Sequence, residues 1–146
     1  MLTVIEKVLF LQDVDIFEHV TNEDLSHIAV VAHEVRFETG EEIYKEGDFS
    51  DSMYMVLEGK VKIHIGDSLV MIQNLKDVFG AWSLFDDEVR LVSATVFEDC
   101  LLLRIDKEDM IEILADHVGI TEGILKAMAK RLHSVARRVG AEPTSS

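Results

Sequence analysis

Phe37-Glu38-Thr39-Gly40-Glu41-Glu42-Ile43, Glu46-Gly47-Asp48 and Met53-Tyr54-Met55-Val56-Leu57-Glu58-Gly59-Lys60-Val61 carry the decision about fold. Short runs rich in Val, Ile, Phe and Tyr alternate there with single glycines. A glycine between two strands marks a turn or bulge that needs positive φ or close backbone approach. Gly40, Gly47 and Gly59 are therefore residues of the fold rather than of a site. The pattern extends from Glu34 to Ile105, punctuated again at Gly66 and Gly80, with spacing that suits a compact antiparallel sheet or barrel. Val61-Lys62-Ile63-His64-Ile65 alternates in polarity, Gly66-Asp67-Ser68 follows, and Leu69 to Ile72 returns. That reads as a hairpin with one face in the core.

Helices flank this segment. Val4, Val8, Leu9 and Leu11 recur among polar residues, and Thr21-Asn22-Glu23-Asp24 resembles a capped start before Leu25, Ile28, Ala29 and Ala32. Asp106 is an N-cap in the sequence reading, ahead of Met110, Ile111, Ile113 and Leu114. A last helix carries Ile120, Ile124, Leu125, Met128, Leu132, Val135 and Val139, and Gly140 and Pro143 stop it. The expected organisation is one domain over 1–139, with helices over 3–33, strands over 34–105, two C-terminal helices over 106–139 and a flexible tail over 140–146. Ile124, Met128, Leu132 and Val135 follow one helix face, suited to a dimer seam or to covering the sheet, and Leu125 widens that face toward the strands.

Composition bounds the function. At 146 residues, 48% apolar and 29% charged, the chain is globular in composition and long enough for a core of ordinary size. Cys100, the single cysteine, lies in an apolar run and reads as a small buried thiol, which suits a reducing compartment. No apolar run approaches the ~20 residues of a membrane-spanning helix, and no leader pattern opens the chain, so a soluble cytoplasmic domain is expected. A net charge of −14 repels a phosphate backbone and argues against nucleic-acid binding. Lys126, Lys130, Arg131, Arg137 and Arg138 form a basic helix face opposite an acidic N-terminal half.

The glycine-spaced segments together with Tyr54-Met55-Val56, Phe79-Gly80, Arg90 and Leu101 to Asp106 resemble the cyclic-nucleotide-binding domain family, over roughly residues 15 to 137. That family includes bacterial catabolite activators, regulatory subunits of cyclic-nucleotide-dependent kinases and gated channels. The resemblance implies a mainly β fold: an eight-stranded, jelly-roll-like β-roll with N-terminal helices and two C-terminal helices.

The resemblance also implies a site. In Phe79-Gly80-Ala81-Trp82-Ser83-Leu84-Phe85-Asp86-Asp87-Glu88-Val89-Arg90-Leu91-Val92-Ser93-Ala94, backbone N–H groups of Ala81, Trp82 and Ser83 at a short helix start would face a cyclic phosphate. Arg90 falls where the family's guanidinium pairs with the phosphate, and Ser93 falls near a purine-selecting hydroxyl. Gly80, Ala81, Trp82, Ser83, Arg90, Leu91 and Ser93 form the expected ligand-binding set. Four departures stand out. Ala81 replaces the family's glutamate, which accepts from the ribose 2′-hydroxyl, and losing that bond costs about 1.5–3 kcal/mol, or one to two decades of affinity. Lys76 replaces a glycine common just before this stretch, and Asp86-Asp87-Glu88 offers acids that could compete for Arg90. Trp82 is bulkier than the family's usual residue, and packing is its expected role.

His19, His27, His33, His64, His117 and His133 are scattered, with no spacing that resembles a metal site. No Gly-x-Ser-x-Gly, Walker, dinucleotide or Cys-x-x-Cys motif appears, so an enzyme is not expected. Asp106, Glu108 and Asp109 read as first-turn charges. The expected function is a regulatory sensor of cAMP, cGMP or a similar anion, without other cofactor or metal, signalling through its C-terminal helices. A homodimer through the last helix is the expected assembly. A transcription-factor member of the family would carry a helix-turn-helix after residue 139, and direct DNA binding is not expected of these 146 residues. The alternative is a module of the same fold that has lost the nucleotide and acts as an interaction or dimerisation domain.

Overall fold

The glycine-punctuated segment folds as a six-stranded antiparallel sheet rolled upon itself, with helices at both ends of the chain. The structure, a computed structural model, describes residues 1–140, with the side chains of Trp82 and Ser83 outside the description. The expected tail, apart from Gly140, also lies outside the described residues. The strands are β1 (His33–Phe37), β2 (Glu42–Tyr44), β3 (Ser52–Ile65), β4 (Ser68–Gln73), β5 (Val78–Phe79) and β6 (Ser93–Asp106). The order is β1-β6-β3-β4, with β2 also on β6 and β5 also on β3.

Six strands stand where eight were expected, because β3 and β6 run through their bends without breaking. They pair from Ser52↔Asp106 to His64↔Ser93, with register shifts between Val56 and Val61. Gly59 sits among those bulges at φ +86, and a Cβ there would lie 2.1 Å from the Asp99 carbonyl oxygen, so only glycine permits this approach. The β3–β4 hairpin turns at Gly66-Asp67, and Val61 and Ile63 are buried.

Alternation along the long strands builds two cores. Tyr54, Val56, Val61, Ile63, Val96 and Leu102 meet inside the roll with Tyr44 and Phe79. Met53, Met55, Leu103 and Ile105 point the other way, to the helices. A strand buried on both faces reads as a continuous apolar run, as residues 53–57 do.

The helices are α1 (Val4–Leu11), α2 (Asn22–Val31), α3 (Lys107–Asp116) and α4 (Val118–Arg138), with a 3-10 turn at Asp15–Phe17. Thr3 and Glu6 form a reciprocal cap on α1, and Thr21 Oγ1 accepts from the Asp24 N–H at 3.2 Å to start α2. Asp106 occupies the N-cap of α3 but makes no capping bond, because its carboxylate accepts from Arg104 Nε at 2.7 Å. Ile120, Ile124 and Ala127 bury one face of α4, while Leu125 is 60% exposed. Leu125 thus points away from the sheet: the core stripe on α4 lies one helical step to its side. Lys130 reaches Glu18 at 3.5 Å, so part of the basic face meets the acidic N-terminal segment within one chain. Among the described residues no helix is long and apolar enough to cross a membrane.

Candidate functional site

The stretch from β5 to β6 begins with a tight turn. The Asn74 N–H donates to Asp77 Oδ2 at 2.7 Å and the Lys76 N–H to the Val56 carbonyl at 2.7 Å, which delivers β5 to Tyr54 and Met55 on β3. Gly80 then turns the chain at φ +75 into a second 3-10 turn, Ala81–Leu84, whose Leu84 is buried.

A cavity of about 430 Å³ opens on this corner. Gly80 and Ala81 form one wall, Met71 and Gln73 of β4 another, Lys76 and the loop Asp13–Ile16 a third, and Arg131 of α4 closes over it. The volume suits a small-molecule site. Lys76 Nζ is paired with Asp13 Oδ2 at 3.0 Å on the rim.

Arg90 lies behind the Gly80 wall. Its backbone is clamped to the loop after β2, the Arg90 N–H donating to the Asp48 carbonyl at 2.8 Å and the Gly47 N–H to the Arg90 carbonyl at 2.9 Å. That turns the side chain inward, to 6% exposure. One Nη donates to the Ser52 carbonyl at 2.7 Å, and the guanidinium carbon stands 3.9 Å above the Tyr44 ring. Tyr54 and Phe79 stack beside it at 5.3 Å. The other Nη lies where a Cβ on Gly80 would be 2.6 Å away, so Gly80 must be glycine for this packing as well. Among the described residues Arg90 Nε is buried without a hydrogen-bond partner. Burial pushes the Tyr44 hydroxyl up from its ordinary value, with Arg90 opposing the rise.

The nearby acids do not take Arg90. Lys107 Nζ bonds the Asp86 carbonyl and pairs with Asp87 Oδ1 at 2.9 Å, tying this loop to α3. Among the described residues Arg90 has no ion pair.

The expected set is therefore divided in space. Gly80 and Ala81 line the cavity, Arg90 stands behind them, and Leu91 is 80% exposed. Ser93 is buried, its Oγ accepting the Glu46 N–H at 3.0 Å and lying 3.4 Å from Glu46 Oε2, which also holds the Gly66 N–H. The Trp82 and Ser83 side chains lie outside the described residues. Sequence reasoning did not single out Tyr44 and Ser52 as the cradle of Arg90, or Arg131 as a cavity residue. The only signals were aromatic residues in the strands and the basic run of the last helix. Cys100 is buried, as expected, and burial pushes its thiol above the usual value.

A family model described as cyclic nucleotide-binding domain matches residues 34–117. The chain is 30% identical over 122 residues to a CRP-like cAMP-activated global transcriptional regulator of Mycobacterium tuberculosis, covering 80% of this chain and 54% of that protein. It is 30% identical over 106 residues to a cAMP/cGMP-dependent 3′,5′-cAMP/cGMP phosphodiesterase B of Dictyostelium discoideum, covering 66% of this chain and 10% of that protein. The chain thus spans about half the length of the first relative and a tenth of the second. Among solved structures, the N-terminal domain of a transcriptional regulator from Streptomyces coelicolor A3(2) has a TM-score of 0.81 at 25% identity, covering 94% of this chain and 99% of that one.

Proposed function

The chain belongs to the cyclic nucleotide-binding domain family, and we propose that it is a regulatory domain that senses cAMP or cGMP in the cavity between Gly80, Ala81 and Arg131. The observation that carries this reading is the composition of that cavity: one wall comes from the turn after β5 and another from α4. A ligand held there touches both the roll and the terminal helix. Its contacts differ between placements of α4, so binding shifts the population of those placements and reports occupancy.

The charge of Arg90 supports an anionic ligand. A buried guanidinium with no acid partner among the described residues is costly, and a carbonyl and a ring face offset only part of the cost. In a medium of low dielectric its field extends through the Gly80 wall, where a cyclic phosphate would balance it. Backbone N–H groups at the start of Ala81–Leu84, with Lys76 and Arg131, are the donors on the cavity side.

A second reading is an interaction module of the same fold without nucleotide. Ala81 favours it, since a methyl accepts no hydrogen bond from a ribose. The engagement of Arg90 with Ser52 and Tyr44 also favours it.

Calorimetric titration with cAMP and cGMP, carried to millimolar ligand, separates the two. Ala81→Glu restores a carboxylate at the cavity wall and should tighten binding by about one to two decades. Arg90→Met removes the charge while nearly keeping the volume, so it should weaken binding in a chain that still unfolds cooperatively. Absence of saturable heat in both the parent chain and Ala81→Glu would overturn the sensor and leave the module.

A further inference from the structure

Asp24, His27 and His117 are remote in sequence and meet where α2 touches the corner between α3 and α4. Each offers one ligand atom, and these atoms all lie within 4.8 Å of one another. The two imidazoles stack with centroids 4.0 Å apart and planes 22° apart. We propose that these three side chains bind a divalent transition ion of the zinc class.

Local structure holds each of them in place. Asp24 and His27 are one turn apart and share a face of α2, and burial of Leu25, Ile28 and Ala29 keeps that helix from rolling. His117 is at once the C-cap of α3 and the N-cap of α4, with its N–H bonded to the Ile113 carbonyl at 2.9 Å. Thr121 Oγ1, donating to the Leu114 carbonyl at 3.0 Å, and the fully buried Ile120 brace the same corner. Gly119 completes the arrangement: a Cβ there would stand 2.9 Å from Asp24 Oδ2, so the missing side chain leaves the carboxylate its place beside the first turn of α4.

The donors are chemically apt and uncommitted. Two imidazole nitrogens and a carboxylate oxygen are a zinc-type set, with bonds of about 2.0–2.2 Å, and three protein ligands leave a fourth position for water. Apart from the stack, none of the three side chains has a hydrogen bond or ion pair among the described residues. The other triad of this kind, His33, Asp106 and Asp109, differs, since Asp106 already holds Arg104 at 2.7 Å. His27 is exposed, so an ion can reach the site, and binding would turn the two rings out of their stack so that their in-plane lone pairs converge on it. An ion there would fasten α2 to the point from which α4 departs, and by mass action would stabilise that arrangement.

The test uses the whole chain, stripped with a chelator and titrated with zinc chloride by calorimetry, with thermal unfolding followed in parallel. One ion per chain is expected, with a zinc-dependent rise in the unfolding midpoint. His27→Ala should weaken binding tenfold or more, about 1.4 kcal/mol, while His33→Ala leaves it unchanged. His117→Gln and Asp24→Asn should each weaken it too. If either fails to fold, exposed His27 decides the matter. No saturable binding by about 0.1 mM zinc, at which a micromolar site would already be filled, overturns the proposal. So does binding that survives His27→Ala or disappears with His33→Ala.

Discussion

Lys76 is the one non-glycine residue among those described with positive φ, at +71. A left-handed conformation costs a residue with a Cβ roughly 1–2 kcal/mol, and glycine at the same place gives back about half of that gain through the greater freedom of its unfolded chain. The turn holds Lys76 there through its N–H bond to Val56, and its half-exposed pair with Asp13 adds at most about 1 kcal/mol. Lys76→Gly made in an Asp13→Asn background, where the pair is already absent, should therefore stabilise the chain by roughly 0.5–1 kcal/mol in urea unfolding. An unchanged or lower stability would show that the turn relaxes around lysine without strain. That glycine is usual at this position was known from the family resemblance and not from the residue itself, because a lysine gives no sign in the sequence of the left-handed backbone it occupies. The direction of Arg90 was not legible, since it follows from the pairing of Gly47 and Asp48 with Arg90, a contact between distant segments.

Among the elements, α4 shows most clearly what periodicity can and cannot settle. Its apolar residues were visible as helical spacing, but they serve two faces. Ile120, Ile124 and Ala127 enter the core, while Leu125, Leu132, Val135 and Val139 are 60%, 68%, 48% and 74% exposed. The exposed four fall at steps of seven, three and four, the spacing of a coiled-coil seam. A second copy of the chain presenting the same stripe is the proposed occupant. Leu132→Asp should shift the sedimentation of the chain from dimer toward monomer while leaving its thermal midpoint at low concentration nearly unchanged. A parent chain that is monomeric at all concentrations would remove this partner. The long strands were harder to delimit, because a strand that bends at a glycine bulge and one that ends there look alike in sequence.

At the scale of the whole molecule, the charge of −14 is the dominant electrostatic term. Self-repulsion disfavours the compact state, and the ion pairs of the described residues that join distant segments, such as Lys130 with Glu18 and Lys76 with Asp13, are half-exposed and individually weak. Screening should therefore stabilise the fold: raising sodium chloride from roughly 0.05 to 0.5 M shortens the Debye length severalfold and should raise the unfolding midpoint. A falling midpoint would mean that attractive pairs outweigh the net repulsion.

The amino-acid sequence alone was enough to determine the order helix, strand, helix, the glycine positions that shape the roll, the hairpin over residues 61–72 and the family to which residues 34–117 belong. Each of these rests on local information: backbone preference, side-chain periodicity or a motif within a few residues. Only the tertiary structure decided that Arg90 turns into an aromatic box behind Gly80, that Arg131 closes a cavity over Ala81 and that His27 meets His117. Those contacts join segments far apart along the chain, and they exist because burying two cores at once allows one placement of the turn after β5 and of the α3–α4 corner.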